Sequence, residues 1–170
     1  MFKVNDYVVY GLMGICRIVD IGKDEYNIGD ETEYYVLHPL NSKNMTIRVP
    51  INNSKTMRAT VTKNEVLSLI ATMPQKETIW IDNEMQRANT YKTALKTGKP
   101  EEYIKIIKTL YLERKARSLK GKKLTNTDED ILKTAEKHLH EEFAMALNIA
   151  TSEVVPYILE HIPQSRESVK

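Results

Sequence analysis

The rhythm of hydrophobic and polar positions changes once along the chain, near residue 60. Before that point apolar residues fall in short alternating runs bounded by turn formers, the period-2 pattern of half-buried strands. Tyr7-Val8-Val9-Tyr10 and residues 15–21 flank a turn containing Gly11 and Gly14. Residues 33–38 and 44–50 form the next pair, after the turn Asn27-Ile28-Gly29-Asp30 and across the connection Asn41-Ser42-Lys43-Asn44. Residues 1–58 are therefore expected to fold as a small antiparallel β-barrel of about five short strands, Tudor-like or SH3-like.

Beyond Val61 the period becomes helical. Thr62-Lys63-Asn64-Glu65 has capping-box spacing and predicts a first helix to about residue 73, where Pro74 breaks it. A second helix is expected over 81–97, with Ile81, Met85, Ala88 and Leu95 inward and Gly98 ending it. Pro100 at a first helical position, followed by Glu101 and Glu102, opens a third, with Ile104, Ile107, Leu110 or Tyr111, and Ala116 or Leu119 as its apolar stripe. Gly121-Lys122-Lys123 closes it. Asn126-Thr127-Asp128-Glu129 caps a fourth, in which Ile131, Ala135, Leu139, Phe143 and Leu147 recur every four residues. A short last helix covers 152–162. The expected architecture is a two-domain α+β chain, the barrel over 1–58 and an all-α domain of about five helices over 61–170, with no internal repeat.

A length of 170 residues suits one domain or two small ones, and 41% apolar residues supply a core. No stretch reaches the ~18 consecutive apolar residues of a membrane helix, and a fold starting at residue 1 leaves no room for an export signal, so a cytoplasmic location is expected. Cys16, the only cysteine, lies in an apolar run and reads as a small core residue. The net charge of +2 hides a segregation: residues 1–58 balance seven Lys/Arg with seven Asp/Glu, 86–123 carry twelve against three, and 124–170 carry four against nine. Such asymmetry is the footprint of a polyanionic partner or, more plainly, of a lysine-rich solvated helix face.

Catalytic signatures are missing from the sequence. There is no phosphate loop or dinucleotide fingerprint, and no nucleophile elbow. His138 and His140 stand two apart and face different ways, where zinc ligands on one helix need a spacing of about four. No enzyme, cofactor or metal is expected. Trp80, the only tryptophan, has two readings: an aromatic tying two helices together, or an exposed wedge that enters a minor groove beside phosphate-binding cations. Arg114, Lys115 and Arg117 form a second basic cluster, 114 and 117 one helical turn apart. No array of base-reading side chains accompanies them, so sequence specificity should be weak and binding salt-sensitive.

Phe2-Lys3-Val4-Asn5-Asp6-Tyr7-Val8-Val9-Tyr10 with Gly14 resembles the CarD/CdnL family of bacterial RNA polymerase-binding regulators. So do Glu33-Tyr34-Tyr35-Val36-Leu37, Thr46-Ile47-Arg48-Val49-Pro50, Trp80, Leu95-Lys96-Thr97-Gly98-Lys99, Ile107-Lys108-Thr109-Leu110-Tyr111 and Glu142-Phe143-Ala144, in order along nearly the whole chain. The resemblance implies a barrel that docks on the polymerase β subunit and a helical domain that meets promoter DNA at the upstream edge of the bubble. It implies Trp80 as the wedge and Arg87, Lys92 and Lys96 as phosphate contacts, alongside Arg114, Lys115 and Arg117. Arg48 becomes the leading polymerase contact, with Glu25, Ile28 and Thr46 on the same surface, and strand addition fits the docking mode. Within the family, the position of Glu25 is often basic, and the tryptophan lies about one helical turn closer to the following glycine. The protein is expected to act as a monomer in the complex. The alternative is a non-catalytic adaptor whose barrel binds another protein and whose basic helices bind RNA or acidic protein.

Overall fold

The computed structural model describes residues 1–164 in two compact units that part between Thr60 and Val61. In the first, β1 (Tyr7–Tyr10), β2 (Ile15–Lys23), β3 (Glu33–Pro39), β4 (Ile47–Pro50) and β5 (Met57–Ala59) make one antiparallel sheet in the order β4-β3-β2-β1-β5. The barrel is thus not closed. β4 and β5, four and three residues long, stand at the two edges instead of pairing with each other. β5 comes from residues that the alternating pattern does not mark as a strand, and it pairs with β1 through Val9 and Arg58.

A register shift between Ile18 and Asp20 puts a bulge in β2, the longest strand, adding the local twist that curls the sheet over its core. That core is Val8, Cys16, Ile18, Tyr35, Leu37, Val49 and Met57. The Cys16 side chain is fully buried, and burial pushes its thiol up to about 11. It packs as a small apolar residue and has no thiolate character near neutral pH.

The second unit holds α1 (Lys63–Thr72), α2 (Glu84–Lys96), α3 (Pro100–Leu119), α4 (Asn126–Leu147) and α5 (Val154–His161). The capping box at α1 forms: the Thr62 amide donates to Glu65 Oε2 (2.8 Å), and the Glu65 amide donates to Thr62 Oγ1 (3.2 Å). Pro100 occupies the first turn of α3. The cap of α4 is Thr125, whose hydroxyl accepts from the Asp128 amide (3.1 Å), one residue before the expected run. Ile131, Ala135, Leu139 and Phe143 are buried along α4, each contributing up to about 1.5–3 kcal/mol for the larger side chains. Among the described residues no helix is long and apolar enough to cross a membrane.

Two expectations about helix faces are corrected. α2 begins at Glu84, capped by Asn83, and buries Arg87, Tyr91 and Leu95, while Met85 is 75% exposed. On α3 the buried residues include Tyr103, Ile104, Ile106 and Leu110, whereas Tyr111 and Leu119 face water. On α4, Glu142 lies inward, although a charged residue on a helix is ordinarily read as solvated: its buried carboxylate accepts from the part-buried Val61 amide (2.9 Å).

α3 ends in a Schellman motif. The Lys122 amide donates to the Arg117 carbonyl (2.8 Å) and the Gly121 amide to that of Ser118 (3.1 Å), with Gly121 at φ +69°. A Cβ at Gly121 meets nothing within 4 Å, so Gly121→Ala suffers only from the left-handed backbone. A loss of about 1 kcal/mol in stability is expected, read as a lowered denaturant midpoint at unchanged slope.

Candidate nucleic-acid interface

Trp80 sits in an irregular segment between α1 and α2 whose backbone is fixed by side chains from the helices beneath it. The Lys108 ammonium donates to the carbonyls of Met73 (3.2 Å), Pro74 (2.9 Å) and Lys76 (2.8 Å). At Ile79 the amide donates to Thr109 Oγ1 (3.0 Å), and the carbonyl accepts from the Tyr91 hydroxyl. Arg87 Nη1 donates to the carbonyls of Ile81 (2.8 Å) and Asp82 (3.3 Å). A loop without ladder bonds must satisfy its polar backbone in this way, and here the satisfaction makes it rigid.

The ring itself is half-buried against the helical core, and its Nε1–H donates to Asp82 Oδ1 (3.1 Å). Two guanidiniums lie over it, Arg87 at 4.3 Å and Arg117 at 5.4 Å from the ring centroid. Trp80 therefore packs partly against the helical core and stays partly accessible beside cations.

Arg87 is not a phosphate contact. Its side chain is 1% exposed, and it meets Asp128 in a bidentate pair, Nε–Oδ1 3.0 Å and Nη2–Oδ2 2.7 Å. This hydrogen bonding raises the guanidinium further above its ordinary range, so the group stays charged and neutralised in the interior. The resemblance implies Arg87 as a phosphate contact, and nothing local contradicts it because its partner lies 41 positions away on another helix. The signal that was present is the α2 spacing Arg87–Tyr91–Leu95, a four-residue stripe with an arginine as its first member. Tyr91 belongs to the same interior, and burial pushes its hydroxyl up to about 12.

The remaining cations differ in freedom. Lys92 and Lys96 project from the exposed face of α2, one turn apart, and Lys115 is exposed on α3. Arg114 is paired with Glu129 (2.9 Å) and stacks over Tyr111 at 5.4 Å, with its Nε buried and lacking a hydrogen-bond partner among the described residues. Arg114, Lys122 and Lys123 border a cleft of about 380 Å³ with Ser118, Asn126 and Glu129. Arg117 donates to Glu113 (3.1 Å) and to the Lys123 carbonyl (3.3 Å). The structure thus gathers Trp80, Arg87 and Arg117 at one point and places Arg114 beside the lysines of the α3–α4 turn. His138 and His140, half-buried on α4, are both held below the ordinary histidine value by burial and stay neutral near pH 7.

On the N-terminal sheet, Arg48 is exposed on edge strand β4, and its guanidinium lies 5.8 Å from the Tyr26 ring centroid. Glu25, Tyr26 and Arg48 border a polar cleft of about 190 Å³ with Asp20, Lys23 and Asp24. Ile28 is wholly exposed at the tip of the β2–β3 loop, and the Thr46 hydroxyl meets His38 Nε2 at 3.3 Å. Beneath the tip, Asp30 accepts from the Thr32 amide and the Tyr34 hydroxyl, which holds its carboxyl below the usual range.

A family model described as the CarD-like/TRCF RID domain matches residues 2–61, and one described as the CarD C-terminal domain matches residues 65–158. No curated protein matches the chain. The two matches follow each other as the two units do, one on the open sheet and one on the helices. The chain belongs to the CarD/CdnL family of RNA polymerase-interacting regulators.

Proposed function

We propose that this protein is a non-catalytic transcription regulator that docks on the polymerase β subunit through the sheet edge carrying Arg48. The helical unit then presents Trp80 to promoter DNA at the upstream edge of the bubble and changes the lifetime of the open complex. The observation that carries the reading is the placement of Trp80. An accessible aromatic on a backbone fixed at Ile79, Ile81 and Asp82, with Arg117 over its ring, is a preorganised apolar group beside cationic charge. The edge position of β4 supports docking by strand addition, in which the backbone supplies affinity and the flanking side chains supply selectivity.

A groove of about 730 Å³ among α3, α4 and α5 is walled mainly by Ile104, Ile107, Leu139 and Ile158, a lining suited to contact more than to bond making.

Immobilised protein should retain core polymerase from a bacterial extract and lengthen or shorten open-complex lifetime in a purified system. Arg48→Glu should weaken that capture at least about tenfold, equivalent to ~1.4 kcal/mol, with the fold intact because Arg48 is exposed. Undiminished capture by the variant would place the docking surface elsewhere.

A further inference from the structure

Deepening the wedge reading on which it rests, we propose that Arg117 is a positioning residue for Trp80, the solvent-facing and exchangeable arm of a two-arginine grip on the indole. The two arms differ in kind. Arg87 is interior, locked by Asp128 on one side and by two loop carbonyls on the other, and so supplies a fixed face for the ring. Arg117 lies near the C-terminal end of α3 with its side chain 27% exposed, held by Glu113 and by the Lys123 carbonyl. Two like charges over one ring are tolerated because each carries its own carboxylate, Asp128 for Arg87 and Glu113 for Arg117.

The position of Arg117 follows from the helix end. The left-handed turn at Gly121 folds the chain back so that the Lys123 carbonyl reaches the guanidinium, and the i,i+4 pair with Glu113 fixes it from the other direction. A guanidinium is planar and stacks on an aromatic face while its edge stays free to donate, which an ammonium does not do. Arg117 thus steadies the ring and still offers donors to a nearby phosphate. A DNA backbone that takes those donors weakens the tie to Glu113 and Lys123, so phosphate engagement and presentation of the ring become linked at one side chain.

Trp80 is the sole tryptophan, so its fluorescence reports this site in the intact protein without labelling. Acrylamide quenching should rise roughly two- to five-fold in Arg117→Gln and equally in Arg117→Lys, the population shift that one exposed cation–π contact supports. Glu113→Gln, which removes only the tie to the arm, should give a smaller rise. Open-complex lifetime should change in both Arg117 variants, while circular dichroism and polymerase capture stay as in the parent protein. Quenching in Arg117→Lys equal to that of the parent overturns the proposal. So does a lifetime that Arg117→Lys preserves and Arg117→Gln does not, the result expected of a simple phosphate contact. A Trp80→Ala variant with unaltered lifetime removes the wedge reading instead, and the quenching comparison then still decides whether Arg117 holds the ring.

Discussion

Asp128→Ala is expected to cost the helical unit about 3–5 kcal/mol, the range for removing one partner from a buried ion pair. The loss follows from what remains, not from the bond itself. Arg87 would keep its charge in an interior site 1% exposed, with two carbonyls in place of a carboxylate. The deletion also cuts the link between α2 and the first turn of α4, where a carboxylate is additionally favoured by the helix dipole. Arg87→Met combined with Asp128→Leu should recover most of the stability, since apolar groups of similar size need no partner. Denaturation followed by Trp80 fluorescence reads this unit alone, because the N-terminal sheet contains no tryptophan. A loss below about 1 kcal/mol in the single variant would mean that water reaches the site.

Trp80→Ala should change open-complex lifetime by roughly tenfold, since stacking of one aromatic on one base is worth about 1–3 kcal/mol and 1.4 kcal/mol is a factor of ten. Only contact made in the opened state counts, so packing that Trp80 keeps in the free protein cancels from the comparison. The substitution also removes a half-buried ring from the helical core, so the melting temperature should fall while capture of core polymerase persists. Trp80→Phe should retain an intermediate effect on lifetime. An unchanged lifetime with Trp80→Ala would leave the residue as a packing group and move the DNA contact elsewhere.

The legible parts of this fold are those governed by neighbours in sequence. Alternation placed β1, β2 and β3, the Thr62–Glu65 box opened α1, Pro100 opened α3, and the four-residue stripe set the buried face of α4. β5 escaped because three residues carry no period, and only pairing with β1 makes them a strand. Closure of the sheet was equally beyond local pattern, for it depends on whether two short edges meet.

α2 was misread for a chemical reason. Its interior includes an arginine whose neutralising partner is remote, so the apolar-looking Met85 took its place in the expected stripe although it faces water. The same cause shaped the reading of the interface. Trp80 and the family resemblance were visible in the sequence, and Lys108, Thr109 and Asp128 fall within runs that the sequence singles out, but nothing local marks them or Tyr91 as the groups that hold the tryptophan and its loop in place.

The pairing of α4 acids with arginines of α2 and α3 also changes how the protein's charge should be counted. Arg87 has a permanent counter-ion in Asp128, whereas the pair of Arg114 with Glu129 is partly exposed and screened by solvent. A cation neutralised from within has no condensed ion to displace from a nucleic acid, so it adds nothing to the steepness with which affinity falls as salt is raised. The twelve Lys/Arg between residues 86 and 123 therefore overstate the number of cations available to a polyanion. On the proposed function the thermodynamic count would belong to exposed lysines such as Lys92, Lys96 and Lys115, while Arg87 is spent on building the surface that displays them.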